Sequence, residues 1–399
     1  MVKLNRRIAA LKPSATMAVE GRAIEMKAAG IDVISLAAGE PDFDTPERIK
    51  EAARRALAAG KTKYTPVGGL RELREAIALK LKRDNGLDYE ANEIVASAGG
   101  KQAAANVIAS LFDEGDEVIL PTPAWVSFPA MVRLAGAEPV ELRCPQERGF
   151  LLDPSELARA INARTRGIVL NSPANPTGAV YGAAELAAIA RVLRDAPQVW
   201  VFSDDVYEHI TYAGPAPHIL RLEPQLRSRT IVLNSVSKTY AMTGWRLGFA
   251  AGPREVIAAA TRLQGQNSGN PASVSQFAAI EAYSGPQDEI GVMVEEFRKR
   301  RNLVVERIRA LAGFELPNVP QGAFYAFPDV SKLLGLSHNG RRIADANSLS
   351  EFLLEEANVA TVAGNDFGAP DHLRLSYATS IENLEKAFAR IGKALKKLG

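Results

Sequence analysis

Between Glu93 and Leu247 short apolar, β-branched runs alternate with helical patterns, and few folds accommodate that rhythm. Glu93–Ser97, Glu117–Leu120, Arg166–Asn171, Val199–Ser203 and Arg229–Leu233 read as strands, and Gln102–Phe112 and Ala183–Leu193 as helices. Strands alternating with helices predict an α/β domain built on a mainly parallel sheet. In such sheets ligands bind beyond the carboxyl ends of the strands, and the polar stretches of this chain sit at those ends.

The flanking regions follow a different pattern. Pro13-Ser-Ala-Thr16 opens a helix, with Ser14 as its N-cap, that runs to Ala29 and stops at Gly30. Ile31–Leu36 reads as a strand and Ala37–Pro46 as a turn-rich segment. Glu47–Ala59 and Leu70–Arg83 are expected helices, separated by a loop that carries Tyr64. Past Pro253–Ala260, Gln264–Pro271 reads as a polar, glycine-bearing loop, and a further helix starts at about Ser273. A long charged helix, Glu289–Leu311, reads as a bridge into a second domain. That domain would hold strands at Gly322–Phe327 and Leu373–Tyr377, a surface loop at Leu333–Asn347 and a closing helix from Ile381. A chain of 399 residues exceeds one simple core, so two domains are expected.

Composition narrows the function. A net charge of +2, with basic residues scattered among acidic ones, gives no basic field and no case for nucleic acid. No run of apolar residues is long enough for a membrane span, and the N-terminus has no leader-like apolar stretch. The single cysteine, Cys144, cannot form an internal disulfide and is expected to be structural. A cytoplasmic location is expected.

Four stretches carry residues suited to chemistry. Asn234-Ser-Val-Ser-Lys238 puts one lysine among Ser235, Ser237 and Thr239 at a strand end, and Arg246 returns from a glycine-bearing turn eight residues on. That set suits a Schiff-base lysine beside a bound phosphate, because hydroxyls and a planar guanidinium supply the donors. Ser97-Ala-Gly99-Gly100-Lys101 joins a strand end to a helix start, where bare backbone N–H groups attract an anion. Asn171-Ser-Pro-Ala-Asn175-Pro-Thr-Gly178 offers a cis peptide at Asn175-Pro176 that would aim the Asn175 amide. Ser203-Asp204-Asp-Val-Tyr207 puts a carboxylate where it could pair with a protonated ring nitrogen and a tyrosine where it could bond a phenolic oxygen. Such a carboxylate is costly at the end of an apolar strand unless it meets a cation. Trp125 could stack on a flat ring. Together these pieces imply one planar, phosphate-bearing aldehyde, pyridoxal 5'-phosphate.

With Asn175-Pro-Thr-Gly178, Asp204-x-x-Tyr207, Ser235-x-Ser237-Lys238 and Arg246 in that order, the chain resembles the fold-type I pyridoxal-phosphate enzymes. More narrowly it resembles class I aminotransferases of the bacterial aspartate aminotransferase (Ib) type. The resemblance runs from Pro13-Ser-Ala-Thr16 through Gly39-Glu-Pro-Asp-Phe-Asp44 and Lys63-Tyr64 to Leu373-Arg-Leu-Ser-Tyr377. It implies a large cofactor-binding domain over 46–295, with a mostly parallel central sheet flanked by helices. A smaller α+β domain would combine 1–45 and 296–399.

The resemblance also implies roles. Lys238 would carry the cofactor and then shuttle a proton, Asp204 would keep the ring nitrogen protonated, and Asn175 and Tyr207 would bond the ring oxygen. Trp125 would stack on the ring. Gly99, Gly100, Lys101, Ser235, Ser237 and Arg246 would hold the phosphate, with Tyr64 reaching it from a partner subunit in a homodimer with shared sites. Arg374 would clamp the substrate α-carboxylate in two-pronged fashion, helped by the backbone at Gly39.

The implied reaction is ping-pong transfer of an amino group from an L-amino acid, foremost aspartate, to a 2-oxo acid such as 2-oxoglutarate. Lys101 resembles the residue that receives the distal carboxylate in this subtype and favours dicarboxylates. Ala124, where relatives tend to carry tyrosine, and the loop Gln266–Pro271 depart from the usual pattern. Aromatic amino acids, prephenate and a β-lyase reaction therefore stay open. An aminotransferase-like transcription regulator is disfavoured, since the pattern begins close to Met1 and leaves no space for a DNA-binding module.

Overall fold

The computed structural model describes residues 5–11 and 15–399. Ser14, the expected N-cap, lies outside the described residues, and the helix it was to open covers Ala15–Ala28. A two-residue strand, β1 (Ile34–Ser35), follows. Seven strands then form one sheet: β2 (Ile94–Ser97), β3 (Glu117–Thr122), β4 (Glu138–Arg143), β5 (Thr165–Asn171), β6 (Trp200–Asp204), β7 (Thr230–Ser235) and β8 (Gly248–Ala251). Their spatial order is β2-β8-β7-β6-β5-β3-β4. From β4 across to β7 every pairing is parallel, and β8 alone runs against both of its neighbours.

Helices cover both faces, so the central strands are apolar throughout rather than alternating. Ile168, Val201 and Val232 belong to one buried cluster, and Val169, Phe202, Ile231 and Leu233 to another on the opposite face. Each such fully buried side chain stabilises the fold by about 2 kcal/mol.

Two sheet strands left no clear signal in the sequence. β4 is an edge strand in which only Pro139 is buried, with Val140 and Leu142 half-buried and the rest exposed. β8 reads Gly-Phe-Ala-Ala, with no β-branched residue, yet it is wholly buried. Close approach requires its glycine: a Cβ on Gly248 would sit 2.3 Å from the Gly100 nitrogen.

The second set of elements draws on both ends of the chain. β9 (Tyr325–Ala326) is followed by a hairpin of β10 (Ser337–His338) and β11 (Arg341–Arg342), and then by β12 (Val359–Ala360), β13 (Val362–Ala363) and β14 (Leu373–Ser376). β9, β14 and β13 make a small antiparallel sheet, while β1 pairs in parallel with β12. Ile34 and Leu36 share one apolar cluster with Phe297, Val304 and Ile308 of the long helix Asp288–Arg309, and with Phe388 and Ile391 of the closing helix. Tyr207, Ile210 and Tyr212 reach into the same cluster from the end of β6.

Several expected boundaries move. Only Ile34 and Ser35 of the Ile31–Leu36 run find a strand partner. Part of the loop expected over Gln264–Pro271 is helical instead, since one helix runs over Arg254–Asn267. Gln264 explains this, because its amide is fully buried and donates to the carbonyls of Val67 and Ala96 at 2.7 and 2.9 Å. Leu333–Asn347 is not a plain loop. It holds the β10–β11 hairpin, turned at Asn339-Gly340 with both φ angles positive, and the start of the helix Ala346–Ala357. Asp345 caps that helix reciprocally with Ser348. Among the described residues no helix is long and apolar enough to cross a membrane. Cys144 is buried, which pushes its thiol up to about 12, and its Sγ lies 3.6 Å from the Leu142 carbonyl.

Candidate active site

A cavity of about 470 Å³ opens beyond the carboxyl ends of β5, β6 and β7. Ala37–Glu40, Tyr325 and Arg374 close it from the side of the second element set. Of the residues singled out in the sequence, Gly39, Gly100, Lys101, Trp125, Asn175, Asp204, Tyr207, Ser235, Ser237, Lys238, Arg246 and Arg374 all line it. Two do not. Gly99 lies just behind the wall, and Tyr64 is 97% exposed on the surface, outside its own chain's cavity.

Lys238 sits in a single helical turn, Val236–Thr239, that starts where β7 ends. Ser235 caps the turn by accepting from the Ser237 N–H at 3.2 Å. Lys238 Nζ donates to the Gly39 carbonyl, linking β7 to the segment after β1. Burial lowers the Lys238 ammonium to about 8; Glu40 opposes the shift, and Arg374 and Arg246 add to it. About a tenth of the amine is therefore neutral and nucleophilic at pH 7, far more than for an ordinary lysine.

Asp204, at the end of β6, is 8% exposed. Among the described residues its carboxylate accepts only from the Val206 N–H, at 3.4 Å, and pairs with no cation. Burial, reinforced by the charge of Asp205, raises its carboxyl to about 7. A buried carboxylate left this way needs a positive partner to stay ionised.

Arg374, in β14, is 2% exposed. Its Nη1 donates to Asn175 Oδ1 at 3.1 Å and its Nη2 to the Ala37 carbonyl at 2.8 Å, while Nε has no partner among the described residues. The guanidinium lies 4.5 Å over the Tyr325 ring. The Asn175–Pro176 peptide is cis, as expected, and the Asn175 N–H donates to Asn171 Oδ1 at 2.9 Å. Tyr207 shares a hydrogen bond of 2.8 Å with the Tyr325 hydroxyl.

At the opposite end of the cavity the helix Gly100–Leu111 presents its free N–H groups. Gly99 precedes it at φ 93°, and a Cβ there would lie 2.4 Å from Arg246 Nη2, so only glycine lets the guanidinium approach. Arg246 is itself left-handed, at φ 51°, and donates to the Thr243 carbonyl at 2.8 Å. Lys101 Nζ stands 5.1 Å over the Trp125 ring. Burial, and next the charge of Arg246, lower the Lys101 ammonium.

The sequence reading missed other cavity residues. Tyr325 lay in a recognised strand, but nothing local paired it with Tyr207 or Arg374. Asn171 was read only as a strand end. Asn234, Glu40 and Glu20 also line the cavity. Glu20 accepts from Ser35 Oγ at 2.7 Å.

The family model for aminotransferase class I and II matches residues 31–391. An aspartate/prephenate aminotransferase of Cereibacter sphaeroides is 49% identical over 397 residues, covering 98% of both chains. An aspartate aminotransferase of Geobacillus stearothermophilus is 47% identical over 99% of both. Among solved structures, the aspartate aminotransferase of Rhizobium meliloti superposes with a TM-score of 0.95 at 44% identity, covering 100% of both chains. That of Thermus thermophilus with maleate gives 0.93 at 45% identity, covering 99% of this chain and 100% of the other. By sequence and by fold alike, the chain belongs to the class I and II aminotransferases and, like others of the aspartate aminotransferase type, uses pyridoxal phosphate.

Proposed function

We propose that this enzyme transaminates L-aspartate, with 2-oxoglutarate as acceptor, in a cytoplasmic homodimer whose Tyr64 completes the neighbouring site. In this reading 46–295 forms the cofactor-binding body, and 1–45 with 296–399 the unit that closes on it. The observation that carries the proposal is one cavity that gathers a buried lysine, a buried carboxylate and an arginine, the carboxylate without a cation and the arginine Nε without an acceptor among the described residues.

The residues fit the cofactor in three respects. The glycine-lined helix start, the hydroxyls of Ser235 and Ser237 and the guanidinium of Arg246 suit a phosphate dianion. Asp204 meets no cation among the described residues, and a protonated ring nitrogen would supply one. Lys238 has a lowered ammonium, as a nucleophile toward an aldehyde requires. When bound, pyridoxal phosphate supplies an aldehyde for the amino group and a ring that accepts the electron pair released at the substrate Cα.

The chain's own residues do the rest. Arg374 binds the α-carboxylate, using Nε and the donors it now shares with Asn175 and Ala37. Lys238 Nζ, as a free amine on the turn after β7, would act as the base that takes the proton from Cα. Trp125 and Tyr325 wall the reacting carbon from water. Lys101 receives the distal carboxylate. This last assignment selects dicarboxylates and supports aspartate over apolar donors.

The test mixes holoenzyme with single amino acids and follows conversion to the pyridoxamine form by absorbance. Fast conversion with aspartate and glutamate, lost in Lys101→Ala, supports the reading. Faster conversion with aromatic amino acids, or amino transfer to prephenate, would replace the substrate, and the name of the Cereibacter relative makes prephenate the second acceptor to try. Bound cofactor with no conversion by any amino acid would favour a β-lyase.

A further inference from the structure

Glu208 stands next to Tyr207 but does not line the cavity. Its side chain is 9% exposed and accepts from Lys80 Nζ, from Asn85 Nδ2 and, at 2.6 Å, from Asn234 Nδ2. His209 Nε2 stands 3.6 Å away. Lys80, 2% exposed, also donates to Asn85 Oδ1 at 2.7 Å and lies 3.9 Å from Asp84. Buried ion pairs contribute little net stability and are often matched by apolar side chains, so stability alone does not account for this cluster.

The geometry of Asn234 gives it a purpose. Asn234 is a cavity residue near the end of β7, and its two amide atoms face opposite ways. Nδ2 donates to Glu208, while Oδ1 accepts from the Ser235 N–H at 2.7 Å. Ser235 caps the turn that carries Ser237 and Lys238. A continuous path thus runs from Lys80 through Glu208 and Asn234 to the lysine turn. On its other side Glu208 belongs to the segment that holds Asp204 and Tyr207.

We infer that Glu208 is a positioning residue: through Asn234 it fixes the Lys238 turn against the Asp204–Tyr207 segment, and so sets how tightly pyridoxal phosphate is gripped between them. This rests on the cofactor reading above. A charged carboxylate suits the task because charge-assisted hydrogen bonds are short and directional, and Lys80 keeps it ionised.

The test compares wild type, Glu208→Gln, Asn234→Ala, the double variant and Asn85→Ala, each as holoenzyme. Release of cofactor on dilution and the pH midpoint of its visible absorbance band are measured, with melting temperature alongside. Asn85→Ala removes one bond from the same carboxylate on the side away from the cavity. Glu208→Gln and Asn234→Ala should each speed release on the order of tenfold and move the midpoint. The double variant should match the worse single one, because both act along one path. Asn85→Ala should lower the melting temperature yet leave release and midpoint near wild type. Equal effects of Asn85→Ala and Glu208→Gln on release, or no change with either, would overturn the inference, as would additive effects in the double variant. Should Glu208→Gln not fold, the contrast of Asn234→Ala with Asn85→Ala decides alone, since both keep the Lys80–Glu208 pair. A wild-type protein that takes up no cofactor overturns the cofactor reading as well, which separates the two failures.

Discussion

Arg374 and Asn175 meet across the two element sets: Nη1 of the arginine donates to Oδ1 of the asparagine at 3.1 Å, although 199 positions separate them in sequence. One residue of the β5 end thereby orients the group proposed for the substrate carboxylate. Replacing Arg374 by alanine removes at least two charge-assisted hydrogen bonds, each worth about 1.5–3 kcal/mol. The expected outcome is a fall in kcat/KM for aspartate on the order of 10³-fold, with cofactor absorbance retained. Arg374→Lys should recover little, because one ammonium cannot reproduce the fork. Steady-state kinetics check this, and a loss under about fivefold would count against the clamp.

Asp204 gives a pH signature in the cofactor-free protein. Its carboxyl titrates ordinarily at 3.8 and, once buried in the fold, at about 7. Between those values the folded chain holds a proton that the unfolded chain has lost, so this group's contribution to stability falls as pH rises from 3.8 to about 7. The loss is complete above that window and amounts to an order of 4 kcal/mol. Asp204→Asn removes the titration, so its melting temperature should decline less than wild type across the window. Parallel melting curves would contradict the assignment.

Lys238 titrates in the opposite sense. With its ammonium lowered to about 8, the neutral amine grows as pH rises toward that value. The rate at which cofactor-free protein captures pyridoxal phosphate should climb with pH and level off above about 8. Lys238→Ala should yield no cofactor adduct trapped by borohydride. A trapped adduct at another lysine, found by peptide mapping, would move the assignment.

Tyr325 combines two contacts, a hydrogen bond to Tyr207 and a ring beneath Arg374. Tyr325→Phe deletes the first and keeps the second. One neutral hydrogen bond contributes about 1 kcal/mol, so the pH midpoint of the visible band should shift by several tenths of a unit while KM for aspartate changes less than about threefold. A large KM change with an unmoved midpoint would assign Tyr325 to the substrate instead.

Much of this was legible in the sequence because it is local. A strand that ends in Asp204, a turn that carries Lys238 and a Gly-Gly helix start each lie within a few residues, and apolar periodicity locates the strand ends where they gather. The clearest failures have physical causes too. β8 opens on Gly248, which the close pass at Gly100 requires, and it carries no β-branched residue to mark it as a strand. The loop expected from Gln264 is helical as far as Asn267 because buried partners satisfy Gln264, and no local pattern reveals partners at Val67 and Ala96.

By itself, then, the sequence determined five of the seven sheet strands, the cofactor-type motifs and twelve of the residues facing the cavity, since short-range chain geometry dictates those. Only the tertiary structure decided which of them touch: Lys238 against Gly39, Arg374 against Asn175, Tyr207 against Tyr325, and Glu208 behind them all. Burial decided the chemistry as well. The raised carboxyl of Asp204 and the lowered ammonium of Lys238 exist because packing strips water from both, and the water that leaves depends on residues far away along the chain.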